Sequence, residues 1–396
     1  MIWLYMLIAA FGLGYVYRKE LHVEEFYNNI INIITDVFPH EGTGVCTKTC
    51  GSGQRLDAVD CVCIPDGCNR TCPAGTHLDS NCNCIPDIVT GGKISYVYDR
   101  KFGSKGNGPG QFQDPHDISF DRQGNAFIPD RVRNDVQVFD HSGKYLRKFG
   151  GPGTGNGKFD VPYSTAHDPQ DNFYVSDRGN NRVQKLTHDG AFIKKITSAG
   201  GKSLKAPEDI AFDFVNGDWY LADTGNERIV KFDKNDNFLL QWGSKGNGNG
   251  KFDHPHAIDV GTDRNVYVSC GHLPYIQKFS PTGQFIKQWG SEGNGPGQVR
   301  LFLEHLDIDK FGRLHLINND VRPIVNVWDQ NGNWLTQYGN TSKGSANGQF
   351  NEPEHVTVDD SGYPWVVDSG NFRIQIFRPV TSAYTRVRAF SRVARA

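Results

Sequence analysis

The side chains with the clearest potential for chemistry follow a short phrase that the sequence repeats six times. In five of the six copies the phrase contains a proline, and the next position carries an imidazole, a phenol or a carboxylate. The six residues are His116, Tyr163, Glu208, His256, Glu304 and Glu354. Zinc takes imidazole and carboxylate ligands, and calcium takes carboxylate oxygens. If the copies converge, the two histidines and three glutamates of this set predict a site for a divalent metal, zinc or calcium. The alternative is that they bind water and one another.

The spacing of the phrase indicates which elements hold these residues. Its copies start 45 to 49 residues apart, a period that is typical of propeller blades. Each copy contains a short apolar strand and a polar turn such as 121–125, then a second strand such as 173–177. A polar loop and two more strands joined by a glycine turn follow. This alternation indicates four antiparallel strands, which make one blade. The sequence therefore predicts an all-β fold, a six-bladed β-propeller over residues 94–378.

The last copy lacks a fourth strand of its own. Arg378 and Pro379 follow its third strand directly, where a turn and another strand are expected. Residues 96–103 precede the first copy and read like the fourth strand at 144–150. Pairing 96–102 with the third strand at 373–377 satisfies backbone groups that an open sheet edge exposes. We therefore expect the N-terminal strand to complete the last blade and close the ring.

Two stretches resemble the signature of NHL repeats: 223–232, DTGNERIVKF, and 368–377, DSGNFRIQIF. The resemblance recurs in register over roughly 280 residues. The phrases at 111–118 and 241–258 are also similar to peptidyl-hydroxyglycine (peptidylamidoglycolate) lyase, the second enzyme of peptide amidation. That resemblance implies a six-bladed propeller whose zinc is held by three histidines from alternate blades. Here each alternating set of axial residues contains one histidine, and no tyrosine occupies the place of the family's catalytic tyrosine. The resemblance therefore implies a shared fold more than a shared activity.

Loops on a rigid scaffold commonly carry binding residues. The polar loops between strands therefore supply candidates for a binding face: Arg131, Arg133, Arg178, Arg182, His272, Tyr275 and Arg322. Our leading hypothesis is a non-enzymatic recognition protein that binds a protein or a glycan through one propeller face. The alternative is a metal-dependent lyase, related to the family above, that acts at the mouth of the tunnel. The net charge of −2 over 396 residues argues against nucleic acid as a partner.

Eight of the nine cysteines lie within residues 45–88, in a module of EGF-like size: Cys46, Cys50, Cys61, Cys63, Cys68, Cys72, Cys82 and Cys84. Its two halves share the spacing C-x3-C followed by C-x-C, and each ends in Cys-Ile-Pro-Asp, which indicates a tandem duplication. Such crowding predicts disulfides formed in an oxidising compartment, with zinc held by thiolates as the alternative. The ninth cysteine, Cys270, is expected to be a buried thiol. Sequons at Asn69 and Asn340 are compatible with a secreted glycoprotein.

Three further segments lie towards the ends of the chain. Residues 2–17 form an uncharged apolar run followed by Arg18 and Lys19, so 1–20 is predicted to be a signal peptide or a membrane anchor. Apolar residues recur at three- and four-residue intervals in 21–40, which predicts an amphipathic helix. Residues 379–396 form a basic tail. The chain is therefore expected to be secreted or to stand on the extracellular face of a membrane.

Overall fold

The computed structural model describes residues 94–380 with their side chains, the backbone of Thr381, and the backbone of four short strands within 54–86. The predictions for 1–20, for the helix at 21–40, for Asn69 and for the disulfides of the cysteine module lie outside the described residues. Among the residues described, no helix is long and apolar enough to cross a membrane.

The described part of the cysteine module consists of two antiparallel hairpins. In the first, Gln54–Asp57 pairs with Val62–Pro65. In the second, Thr76–Leu78 pairs with Cys84–Pro86. Both second strands carry the tripeptide Cys-Ile-Pro. The two halves therefore repeat in their backbone as they do in their sequence.

Six four-stranded antiparallel sheets form the blades of a propeller, which confirms the predicted all-β, six-bladed fold. We number the strands of a blade from one, at the axis, to four, at the rim. Blade 1 comprises Ser119–Phe120, Ala126–Asp130, Asp135–Phe139 and Tyr145–Gly150. Blade 2 comprises Pro162–His167, Phe173–Asp177, Arg182–Leu186 and Phe192–Ile196. Blade 3 comprises Ile210–Phe212, Trp219–Asp223, Arg228–Phe232 and Phe238–Trp242.

The second half of the ring has the same organisation. Blade 4 comprises Pro255–Val260, Val266–Cys270, Leu273–Phe279 and Phe285–Trp289. Blade 5 comprises Leu303–Ile308, Arg313–Asn318, Ile324–Asp329 and Trp334–Tyr338. Blade 6 comprises Pro353–Val358, Pro364–Asp368, Arg373–Thr381 and the N-terminal strand Ile94–Phe102. Minor pairs join Ser104–Lys105 to Gln111–Phe112 and Ser198–Ala199 to Lys202–Ser203, and single 3-10 turns occupy Arg178–Asn180, Thr224–Asn226 and Ser369–Asn371.

The ring closes as the sequence predicts. Ile374 pairs with Phe102 and Phe377 pairs with Tyr98, so the N-terminal strand is the fourth strand of blade 6. The expectation that the third strand ends at Phe377 is wrong, because the strand runs on to Thr381 and Pro379 pairs with Tyr96. Pro379 lies beyond the last residue that pairs with the second strand, where only one neighbouring strand needs backbone donors.

The hydrophobic core lies between the blades. Six clusters of buried apolar side chains each join one blade to the next around the ring. At the junction of blades 2 and 3, Trp219 stacks on Phe232 with ring centroids 4.1 Å apart and lies 5.4 Å from Tyr174. Burying one such aromatic side chain removes at least about 150 Å² from water, which is about 4 kcal/mol of transfer free energy. Each blade is therefore stabilised mainly by its two neighbours, and the axis receives the polar residues that remain.

The antiparallel order gives the propeller two different faces. The face that we call the loop face carries the connections between blades and the turns between strands two and three. The opposite face, which we call the cavity face, carries the turns between strands one and two and between strands three and four. Every first strand begins at the loop face and ends at the cavity face. The residue that follows each repeated proline therefore lies near the loop face.

Candidate functional site

The six residues aligned from the repeated phrase meet around the axis. The rings of His116 and Tyr163 have centroids 3.7 Å apart, and those of His116 and His256 are 6.4 Å apart. The Tyr163 hydroxyl lies 2.9 Å from Nε2 of His256. Three side chains from blades 1, 2 and 4 therefore fill the mouth of the tunnel at the loop face. We call this group, with the three aligned glutamates, the axial ring.

The three glutamates of the axial ring divide between its two histidines. Oε2 of Glu304 lies 3.2 Å from Nε2 of His256, and Oε2 of Glu208 lies 3.8 Å from the same nitrogen. Oε2 of Glu354 lies 3.6 Å from Nε2 of His116. The five predicted metal ligands are therefore close together but form two groups, one around Nε2 of His116 and one around Nε2 of His256.

Burial controls the protonation of the axial ring. It raises the pKa of Glu304 and of Glu354, and repulsion from Glu304 raises the pKa of Glu354 further. Burial lowers the pKa of both His116 and His256. Near neutral pH the imidazoles of His116 and His256 are therefore uncharged. The carboxyl groups of Glu304 and Glu354 share a proton, so one of them can donate a proton while the other accepts one.

Backbone carbonyls fix the orientation of both histidines of the axial ring and of His305, the residue after Glu304. Nδ1 of His116 lies 3.0 Å from the Tyr163 carbonyl oxygen, Nδ1 of His256 lies 3.0 Å from that of Glu304, and Nδ1 of His305 lies 3.0 Å from that of Val356. A carbonyl oxygen only accepts hydrogen bonds, so Nδ1 of each ring carries the proton. In the neutral rings of His116 and His256, Nε2 then presents its lone pair, an arrangement that is common in histidines that bind metals.

The alignment of one residue per blade missed His254. Its Nε2 lies 3.4 Å from Oε2 of Glu208, and Glu208, His254 and His256 each offer a ligand atom within 4.8 Å of the other two. The signal was present in the sequence, because His254-Pro255-His256 places two imidazoles on either side of one proline.

A second group of polar residues lies one position further along the first strands. Nε2 of His305 is 3.2 Å from Oδ2 of Asp209, and Nε2 of His355 contacts Oδ1 of Asp117. Burial alone lowers the pKa of His305, but attraction to Asp209 and to two further aspartates outweighs it and raises the pKa to about 9. The sequence alignment missed this group because first strands carry β-bulges here, such as that between Pro353 and His355. A bulge lets two consecutive residues face the same side.

Two of the predicted loop arginines belong to the tunnel mouth. Nε of Arg178 binds Oε1 of Glu208 at 2.9 Å. Arg131 binds Asp114 at 2.9 Å, and its Nη2 lies 3.7 Å from Oε1 of Glu354. Both guanidinium groups lie over the ring of Tyr163, at 5.2 Å for Arg178 and 5.5 Å for Arg131. At these distances the face of the phenol ring attracts both positive charges.

The structure places Arg133 and Arg182 inside the blades rather than on an exposed loop. Each side chain is only 5% exposed. Arg182 binds Asp177 at 2.6 Å and donates to three carbonyl oxygens of the connecting loop 154–158. Arg133 binds Asp135 at 3.0 Å and donates to the carbonyl oxygens of Gly108 and Gln111. Both side chains join a connecting loop to its blade.

The remaining predicted residues lie at the surface of the loop face or near it. Nδ1 of His272 lies 3.1 Å from Asp253, and its ring stacks on His254 with centroids 5.1 Å apart. The Tyr275 hydroxyl donates to the Asn247 carbonyl oxygen, and Arg322 donates to that of Asn294. Asn340 is exposed. Cys270 is a buried free thiol as predicted, and burial raises its pKa to about 12.

The cavity face holds a cavity of about 500 Å³. It is lined by the ends of the first strands and their turns, among them His167, Phe214, Asp259, Asp307 and Thr357. Phe214 and Val215 stand at this face with 69% and 73% of their surface exposed. A waist of about 10 Å³, bounded by His116 and His305 among others, leaves room for about one water molecule on the axis. The sequence did not indicate this cavity, because its lining comes from different blades.

Comparison with known proteins places the chain by its fold. No family model matches it, and no curated protein matches it in sequence. Among solved structures, it is similar to an auxiliary nutrient binding protein from Bacteroides ovatus, with 15% identity, a TM-score of 0.54 and coverage of 73% of this chain and 78% of that one. An auxiliary nutrient binding protein from Bacteroides thetaiotaomicron has 12% identity and a TM-score of 0.53, with coverage of 73% of this chain and 77% of that one. A streptogramin B lyase has 13% identity and a TM-score of 0.51, with coverage of 73% of this chain and 98% of that one. The likeness shows a shared propeller fold.

Proposed function

We propose that this chain is an extracellular binding protein that takes a glycan into the cavity of its cavity face. The observation that carries the proposal is the cavity itself, whose volume of about 500 Å³ falls within the range of sites for small ligands. A volume of this order accommodates a mono- to trisaccharide.

The lining of the cavity has the chemistry that sugar hydroxyls need. Burial raises the pKa of Asp259 and Asp307, which favours the protonated carboxyl that both donates and accepts. His167 also lines the cavity, and its buried Nε2 has no hydrogen-bond partner among the described residues. The exposed ring of Phe214 offers a flat apolar surface beside these polar groups.

Two further findings support a binding role in an extracellular setting. Two of the propellers with the same fold are named auxiliary nutrient binding proteins. The crowding of eight cysteines in 45–88 is typical of proteins that fold in an oxidising compartment.

The proposal is tested by screening mono- to trisaccharides by saturation-transfer NMR and measuring Kd by calorimetry. We expect Phe214→Ala to raise Kd about tenfold, which corresponds to about 1.4 kcal/mol of lost contact. The matched control is Val132→Ala, which removes an apolar side chain that is 56% exposed at the loop face. A sugar whose binding Val132→Ala weakens and Phe214→Ala spares would move the site to the loop face. Absence of any sugar binding would leave a protein ligand as the better hypothesis.

The second candidate is a lyase that acts at the tunnel mouth. It is favoured by the carboxyl groups of Glu304 and Glu354, which share a buried site with His116 and Arg131 and can exchange a proton near neutral pH. Release of glyoxylate from a hydroxyglycine-extended peptide measures this activity directly. Turnover that Glu354→Gln abolishes would place the lyase first.

A further inference from the structure

We propose that Glu208, His254 and His256 form a binding site for one zinc-class divalent metal ion at the loop-face mouth of the tunnel. The site is independent of the cavity-face ligand, because it lies at the opposite end of the axis. Two imidazole nitrogens and one carboxylate oxygen suit zinc and its neighbours in the first transition row better than calcium or magnesium.

The spacing of the three ligand atoms fits such an ion. Oε2 of Glu208 lies 3.4 Å from Nε2 of His254 and 3.8 Å from Nε2 of His256. A tetrahedral zinc ion with bonds of about 2.0 to 2.2 Å separates its ligand atoms by roughly 3.3 to 3.6 Å. Two of the three separations therefore match those around a zinc ion to within a few tenths of an ångström, and the ligand atoms of all three residues lie within 4.8 Å of one another.

One oxygen of the Glu208 carboxylate, Oε2, is available to bind a cation. The residue is fully buried, and Arg178 binds Oε1. No described residue donates a hydrogen bond to Oε2. The hydroxyl of Thr224, which lies beside this carboxylate, gives its proton to the Pro255 carbonyl oxygen at 2.7 Å. A buried carboxylate oxygen without a donor is costly, and a metal ion removes that cost.

The two histidines are held in orientations that suit binding. The hydrogen bond from Nδ1 of His256 to the Glu304 carbonyl oxygen aims Nε2 at the axis. That nitrogen now accepts from the Tyr163 hydroxyl, which a metal ion would displace. His254 stacks on His272, and its side chain is 32% exposed, so the site opens to solvent. Three protein ligands and an open position leave room for water or a ligand on the metal.

The other candidate group contains a histidine without a free lone pair. In the group of Asp117, His305 and His355, the two Nε2 atoms already contact carboxylate oxygens, His305 with Asp209 and His355 with Asp117. Both nitrogens of His305 face acceptors, the Val356 carbonyl oxygen and the Asp209 carboxylate, so both carry protons and neither presents a lone pair. Nε2 of His256 faces a hydroxyl that can donate, that of Tyr163. This difference assigns the metal to the group that contains Glu208.

The test uses the untagged full-length chain, stripped with a chelator, dialysed and titrated with zinc chloride by calorimetry. We expect one zinc ion per propeller, and a loss of affinity of about 100-fold or more in each of His254→Ala and Glu208→Gln. The matched control is His141→Ala, which removes a histidine that is 54% exposed on the opposite face and is expected to bind zinc as the wild type does. Circular dichroism spectra establish that each variant is folded.

Cobalt separates this site from the cysteine module. Co²⁺ held by nitrogen and oxygen shows visible d–d bands without the near-ultraviolet charge-transfer band that thiolate ligands produce. We expect the d–d bands in the wild type and in His141→Ala, and their loss in His254→Ala. The proposal is overturned if the wild type binds less than about 0.1 zinc ion, if both site variants keep full affinity, or if the cobalt spectrum is that of thiolate ligands alone.

Discussion

Replacing Arg182 with methionine distinguishes a structural arginine from a binding arginine. The guanidinium binds the fully buried carboxylate of Asp177 at 2.6 Å and donates to the carbonyl oxygens of Thr154, Gly155 and Lys158 at 2.8 to 2.9 Å. Methionine keeps most of the side-chain volume but removes every donor. Breaking a buried ion pair on one side costs about 3 to 5 kcal/mol, because the remaining charge stays buried. We therefore expect Arg182→Met to lower the free energy of unfolding by at least about 3 kcal/mol.

The loss is measured by chemical denaturation followed by tryptophan fluorescence. Arg122→Met is the matched control, because Arg122 is exposed in a turn and its replacement is expected to change stability by about 0.5 kcal/mol or less. Asp177→Asn combined with Arg182→Met should recover part of the loss, because it removes the unpaired charge. If Arg182→Met unfolds at the same denaturant concentration as the wild type, the pair does not hold the blade and the side chain is free to serve a ligand.

Three further outcomes follow from the same structure. A chain that begins at Gly103 lacks the fourth strand of blade 6 and exposes a sheet edge, so we expect it to aggregate in size-exclusion chromatography. An added peptide of residues 94–102 should reduce the aggregation, and a monomer without the peptide would contradict the prediction. The raised pKa of His305, about 9 against about 6.5 unfolded, contributes about 3 kcal/mol that is fully present below pH 6.5 and lost as the pH rises through 9. The stability gap between wild type and His305→Gln should therefore shrink by this amount between pH 6 and pH 10 in denaturation curves, and a constant gap would refute it. Thiol titration without reductant should detect no thiol in the native chain and one, Cys270, after denaturation, whereas nine would refute the disulfides.

The fold could be predicted because each repeat contains the complete sequence pattern of one blade. Each blade carries its own strand and turn pattern, and the copies agree in register, so errors in one copy are corrected by the others. The closure of the ring could also be predicted from short segments, because Tyr96–Phe102 has the pattern of a fourth strand and blade 6 lacks one of its own. The end of the third strand was harder to predict. Proline at 379 normally argues against a strand, and only the one-sided pairing at that place makes it acceptable.

The candidate site was predicted less completely, because sequence spacing assigns one inward residue per strand. The bulges in the first strands break that rule, so His305 and His355 join the axis beside Glu304 and Glu354. The same limit affected Arg182. A charged residue after Gly-Asn-Asn reads as part of an exposed turn, whereas the carbonyl oxygens that bury it come from a loop 24 to 28 residues earlier.

One departure from the repeat lies beside the proposed metal site. In blades 1, 2, 3 and 6 the second strand ends in a buried aspartate, and in blade 2 Asp177 accepts the amide of Asp160 from the connecting loop. In blade 4 this position is Cys270, so the equivalent amide, that of Asp253, meets a neutral thiol instead of a carboxylate. Asp253 is followed at once by His254. Repeats depart from their own stabilising pattern where another demand outweighs local stability. Blade 4 therefore has a neutral thiol instead of a carboxylate next to His254, the histidine that reaches Glu208 from outside the axial ring. Blade 5 also has a neutral residue at this position, Asn318, so the change in blade 4 agrees with the proposed site but does not by itself establish it.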